Sequence, residues 1–159
     1  MKKTYQKSVH RNKKNSLTSE NVTQIVQGLL NCGQFLQREM NPVCQRLGMK
    51  QQQFSVLNEI VWHGPLTQKE LGEALLFEKS NVSKIVKILF EKKWIRVTVA
   101  THDRRMTLLS ETPEGFAVWK ESVQAFNESS SELISVLSEN EQVNAIRLLN
   151  KLQKAFKRK

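Results

Sequence analysis

The feature that most constrains this chain is a change of hydrophobic period between residues 82 and 108. Val82, Ile85, Val86, Leu89 and Phe90 recur at spacings of three and four, the rhythm of one helical face. Ser80, Lys84 and Lys87 fall on the opposite side, with Asn81 on the flank. Then the period drops to two: Ile95-Arg96-Val97-Thr98-Val99 alternates, and so does Met106-Thr107-Leu108. Alternation of this kind marks half-buried strands. Between them lies the polar run Ala100-Thr101-His102-Asp103-Arg104-Arg105. The segment therefore reads as a basic amphipathic helix followed by a two-stranded hairpin with a charged tip.

The sequence on either side is helical in pattern. Val22, Ile25, Val26, Leu29, Gly33 and Leu36 share a face of a helix capped at Thr18 or Ser19, and Pro42 and Gly48 bracket a turn. A second helix covers about Gln51 to Trp62, ended by Gly64-Pro65. Thr67-Gln68-Lys69-Glu70 is a capping box, in which hydroxyl and carboxylate satisfy each other's backbone amides. It opens a short helix bearing Leu71, Ala74 and Leu75. Thr112-Pro113 starts a long helix running to about Leu137, because Pro is at home in a first helical turn. Ser138-Glu139-Asn140-Glu141 opens the last, with Val143, Ile146, Leu149, Leu152 and Phe156.

Charge says what such a chain attracts. It has 25 Lys and Arg against 15 Asp and Glu, for a net charge of +10, which favours polyanions. The excess is uneven: residues 1–20 carry +5, residues 65–110 +4, residues 111–146 −6 and residues 147–159 +6. Residues 1–16 read as a flexible basic arm, either a solubilising end or one that follows phosphates. The two cysteines suit a reduced cytoplasm. Neither a secretion signal nor a membrane span is expected, so the expected location is cytoplasmic, without membrane association.

Two short helices, a basic-faced helix and a hairpin make a winged helix-turn-helix. The expected fold class is mainly α: an α+β winged helix-turn-helix with a two-stranded wing and long dimerisation helices. A helix fits the major groove of duplex DNA, and an arginine on the hairpin can enter the neighbouring minor groove. Double-stranded DNA is the expected partner. Acidic residues on that face would favour a winged-helix protein-interaction module instead. The stripes of the first and last helices exceed what one small winged helix can bury, which implies a second chain, expected as a homodimer.

At residues 46–115 the chain resembles the MarR family of bacterial regulators, and more weakly through most of residues 18–156. The resemblance is carried by Gln53-Phe54-Ser55-Val56-Leu57, by Gly64-Pro65-Leu66-Thr67-Gln68-Lys69-Glu70-Leu71, by Ser80 to Leu89, by Asp103-Arg104-Arg105 and by Thr112-Pro113-Glu114-Gly115. It implies one domain over residues 17–159, with the winged helix at 46–112, the helix-turn-helix at about 67–90, and dimerisation helices at 17–40 and 113–159. It implies a ligand- or stress-responsive repressor acting as a dimer on a palindromic operator, relieved by a small-molecule effector or by thiol oxidation. Carried over by position, Lys79, Ser80, Asn81, Ser83, Lys84 and Lys87 face the major groove, with Thr67 beside them. Arg105 enters the minor groove next to Arg104, and Asp103 steadies it. The chain departs from the family at Leu76 and Lys93, where turn glycines are usual, and at Glu78, where Ser or Thr commonly caps the recognition helix.

The remaining chemistry is sparse. Cys32 lies on the stripe of the first helix and reads as a buried thiol, with a redox sensor as the alternative. Cys44, in the turn after Pro42, reads as more exposed. His10, His63 and His102 show no ligand spacing, so no metal and no cofactor is expected. No nucleophile with a base, no paired acids and no phosphate-cradling glycine loop suggests an enzyme. The Trp, Phe and Met residues at helical spacing read as core, and the family resemblance, which implies a ligand pocket between the dimer helices and the winged helix, makes Trp62 or Trp119 an alternative lining residue.

Overall fold

The computed structural model describes residues 2–101, 103 and 105–156, with side chains from Ser19 to Ala155. The element order is α1 (Lys2–Arg46), α2 (Gln51–His63), α3 (Gln68–Leu75), α4 (Lys79–Glu91), β1 (Ile95–Val99), β2 (Thr107–Glu111), α5 (Pro113–Ile134) and α6 (Glu139–Phe156). The chain divides into two compact units, to Glu39 and from Met40, and α1 runs unbroken through the division.

α1 departs from expectation at both ends. Its backbone is helical from Lys2, well before Thr18 or Ser19, and it continues through Pro42 instead of turning there. A proline inside a helix forfeits a hydrogen bond, at about 3 kcal/mol. Burial of Met40, Val43 and Cys44 on that last stretch offsets the loss. Cys44 is only 1% exposed, contrary to the expectation for a turn residue, because the helix carries it into the core. The helix ends at Gly48, whose φ of 66° lets Met49 N–H reach the Cys44 carbonyl at 2.9 Å.

In the second unit one core joins Val56, Leu57 and Ile60 of α2, Leu71 of α3, Val82, Ile85, Val86 and Leu89 of α4, Ile95 of β1 and Leu109 of β2. A smaller cluster holds Met40, Cys44 and Met49 against Phe54, Val118 and Phe126. Trp94 packs against both. Phe90, counted on the inner stripe, is half exposed because it sits at the margin of the α4 face.

The hairpin is antiparallel, in a register from Ile95 opposite Glu111 to Val99 opposite Thr107. β2 begins one residue later than expected and runs on to Glu111. Leu66 explains the extension. It exchanges two backbone hydrogen bonds with Leu109, at 3.1 and 2.8 Å, which hold the strand beyond its alternating part. α5 ends at Ile134, short of Leu137, and Ser138 starts α6 with its amide donating to Glu141 at 2.9 Å.

Candidate nucleic-acid interface

α3 and α4 form the helix-turn-helix. Thr67 caps α3: its hydroxyl accepts from the Glu70 amide at 3.2 Å, while Glu70 Oε2 accepts from both the Thr67 amide and the Thr67 hydroxyl at 2.8 Å. These bonds hold the Glu70 carboxyl below the usual carboxylate range. Both donors of Thr67, a sequence candidate for DNA contact, are therefore spent on Glu70.

The turn between the helices depends on Leu76, left-handed at φ 55°. That conformation lets Phe77 N–H close on the Gly72 carbonyl at 3.0 Å. α4 ends the same way, with Lys93 at φ 59° and Trp94 N–H on the Leu89 carbonyl at 3.0 Å. The two residues standing where glycine is usual thus adopt the conformation glycine would supply. Glu78 makes no side-chain cap to α4.

Lys79, Ser80, Ser83, Lys84 and Lys87 are exposed on α4, opposite buried Val82, Ile85, Val86 and Leu89. Lys87 Nζ lies 3.9 Å from Glu91 Oε1. Asn81 is half-buried, and its Nδ2 reaches Gln52 Oε1 at 3.5 Å. Ser83 Oγ donates to Gln68 Oε1 at 2.9 Å. Gln52, at the start of α2, and Gln68, at the start of α3, were missed in the sequence. Each lies far along the chain from its α4 partner, and no periodic pattern signals the pairing.

On the wing, Asp103 Oδ1 accepts from the Arg105 amide at 2.9 Å and from Arg105 Nε at 3.2 Å. Asp103 Oδ2 accepts from Nη2 at 3.4 Å. These bonds keep the Asp103 carboxyl below the usual range. The Arg105 side chain is 92% exposed, so its guanidinium is oriented at its base and open to solvent. Arg104 lies outside the described residues. Three cations of α4 and one on the wing stand on the exposed surface of a single winged unit.

A family model described as the MarR family matches residues 47–106. The HTH-type transcriptional repressor MdtR of Bacillus subtilis (strain 168) is 30% identical over 122 residues, 77% of this chain and 79% of that protein. The chain belongs to the MarR family. An uncharacterized HTH-type transcriptional regulator of the same organism, YwaE, is 28% identical over 99 residues. That match covers 62% of this chain but only 58% of YwaE, less than two thirds of its length. Among solved structures, a mutant of MarR from E. coli complexed with operator DNA is similar at a TM-score of 0.68, with 24% identity over 79% of this chain and 91% of that one. The relatives that the chain resembles are HTH-type transcriptional regulators.

Other sequence candidates lie away from this surface. Cys32 is exposed rather than buried, as are Val22, Ile25 and Val26 along the same stripe of α1. Burial pushes the Cys44 thiol up. Trp62 is exposed and meets Trp119 edge-on at 5.9 Å, while Phe116 lies 5.4 Å from Trp119. Trp119 Nε1 donates to Asn58 Oδ1 at 3.0 Å. Among the described residues, no three His, Cys, Asp or Glu side chains gather as a metal site. None of the described helices is long and apolar enough to cross a membrane.

Proposed function

We propose that this MarR-family protein is a repressor that binds a palindromic operator as a homodimer and releases it on binding a small-molecule effector. α4 lies in the major groove, where Ser80, Asn81 and Ser83 meet base edges and Lys79, Lys84 and Lys87 meet phosphates. Arg105 enters the adjacent minor groove, and Arg104, its neighbour in sequence, joins it as a DNA contact. The observation that carries this reading is the Asp103–Arg105 pair. A guanidinium that donates twice to Asp103, whose carboxylate is itself held by the Arg105 amide, yet open to solvent, has lost much of the freedom that docking would otherwise cost. Thr67 contributes as the cap that sets the angle of α3, since its donors face Glu70. Exposed Trp62 and Phe116, gathered around half-buried Trp119, support an aromatic or apolar effector.

Gel shift against fragments of the DNA flanking its own gene tests the reading. Wild type is expected to give a specific retarded band, and Arg105→Ala to weaken it by about 1–3 kcal/mol. The loss is expected to be largest where A·T-rich flanks narrow the minor groove. Fold should be unchanged, because the Arg105 side chain is almost fully exposed. A variant that binds every fragment like wild type would remove the wing from the contact.

A further inference from the structure

The last turn of α4 is held from two sides. On one side, Lys92 Nζ donates to the Gly48 carbonyl at 2.9 Å and stands 4.6 Å from the centroid of the Trp94 ring. On the other, Thr112 Oγ1 donates to the Lys93 carbonyl at 2.6 Å, and the Thr112 amide donates to the Trp94 carbonyl at 3.0 Å. The α5 backbone presses so closely there that a Cβ on Gly115 would lie 1.9 Å from the Trp94 carbonyl oxygen. The α5 side is backbone and a half-buried cap. On the α1–α2 side the polar contact depends on one ammonium group, beside the packing of Trp94 against Met40, Cys44 and Met49.

That dependence has a mechanical consequence. α4 has 13 residues, so it is roughly 20 Å long. A tilt of about 5° about its C-terminal end would swing Lys79 and Ser80 by roughly 1.7 Å, more than the spread of acceptable hydrogen-bond lengths. Lys92 is itself exposed, and an exposed lysine is usually left to water. Here its ammonium has a carbonyl in front of it and an aromatic face beneath, a combination that needs positive charge. The carbonyl belongs to Gly48, whose left-handed φ ends α1, so the contact ties the end of α1 to the end of the DNA-facing helix.

We propose that Lys92 is a positioning residue for DNA binding: by bridging Gly48 and the Trp94 ring it fixes the tilt at which α4 is presented to the operator. The proposal rests on the DNA-binding reading above but makes Lys92 act through α4, not through a phosphate. Removing its charge loosens α4 and misaligns the major-groove residues. Restoring a charged donor realigns them.

The test uses the full-length protein and two readouts. Amide hydrogen exchange compares wild type with Lys92→Gln over residues 47–50 and 88–94. The expected result is exchange about fivefold faster in both segments, with the melting temperature nearly unchanged. Unaltered exchange would overturn the bridge, whether or not any DNA binds. Affinity for the promoter fragment retained by wild type is then measured across salt. Lys92→Gln is expected to bind it about five- to tenfold more weakly with an unchanged salt slope, and Lys92→Arg to return within about twofold of wild type. A slope lower by about one, with uniform loss on all DNA, would make Lys92 a phosphate contact and sink the positioning role. So would altered exchange with undiminished affinity. If wild type retains no fragment, the DNA-binding reading itself has failed, while the exchange experiment still judges the bridge.

Discussion

Leu76 and Lys93 show how single residues decide local geometry. Both hold positive φ, at 55° and 59°, so that Phe77 and Trp94 amides can close on carbonyls five residues back. A side chain in that region costs about 1–2 kcal/mol, and glycine returns part of the gain as extra freedom in the unfolded chain. Leu76→Gly and Lys93→Gly are each expected to stabilise the fold by about 0.5–1 kcal/mol. Neither loses much packing: Leu76 is 67% exposed and Lys93 is exposed as well. A rise in the urea midpoint with an unchanged slope would confirm the gain, and a fall would mean that the side chains do more than tolerate the turn. These positions were legible in the sequence because glycine was expected and missing. The close approach of Gly115 to Trp94 was not, since it joins two elements whose spacing only the fold defines.

Among elements, the pieces with a local cause were the most legible. The Thr67 and Thr112 caps, the stripe of α4 and the alternation of β1 each depend on neighbours within a few residues, and each appears where the sequence put it. The misses have non-local causes: burial of Met40 and Cys44 carries α1 past Pro42, and pairing with Leu66 draws β2 out to Glu111. The Asp103–Arg105 pair was anticipated, whereas the Gln68–Ser83 and Gln52–Asn81 contacts link separate helices and were not. The α3 cap makes a pH prediction. Glu70 is held below the usual carboxylate range by the Thr67 amide first and its hydroxyl second. A group whose folded pKa is depressed contributes stability that is fully present above its unfolded pKa and is lost as pH falls through the folded one. Glu70→Gln is therefore expected to be less stable than wild type at neutral pH, with the gap closing as pH drops below the carboxylate range. Urea titrations from neutral to acid pH decide it, and a gap that stays constant would show that the charge plays no part in the cap.

Val22, Ile25, Val26, Leu30 and Phe35 are exposed on α1, and Val143, Ile146, Leu148 and Leu149 on α6. Isolated apolar side chains on a surface need no explanation, but two rows along helices do. A second copy covering both would bury them and place two winged units on one operator. That arrangement fixes a number. Each copy exposes Lys79, Lys84, Lys87 and Arg105, so a dimer would neutralise about eight phosphates if each cation met one. The logarithm of affinity should then fall with the logarithm of salt at a slope near −7, an affinity loss on the order of 10⁴ between about 50 and 200 mM. One copy alone would give about half that slope. Light scattering at micromolar concentration should report twice the 18.4 kDa chain mass, and the same sample should show the steep salt dependence. A monomeric mass with the half slope would dismiss the dimer and the palindrome together. A dimeric mass with the half slope would keep the dimer and leave one winged unit off the DNA.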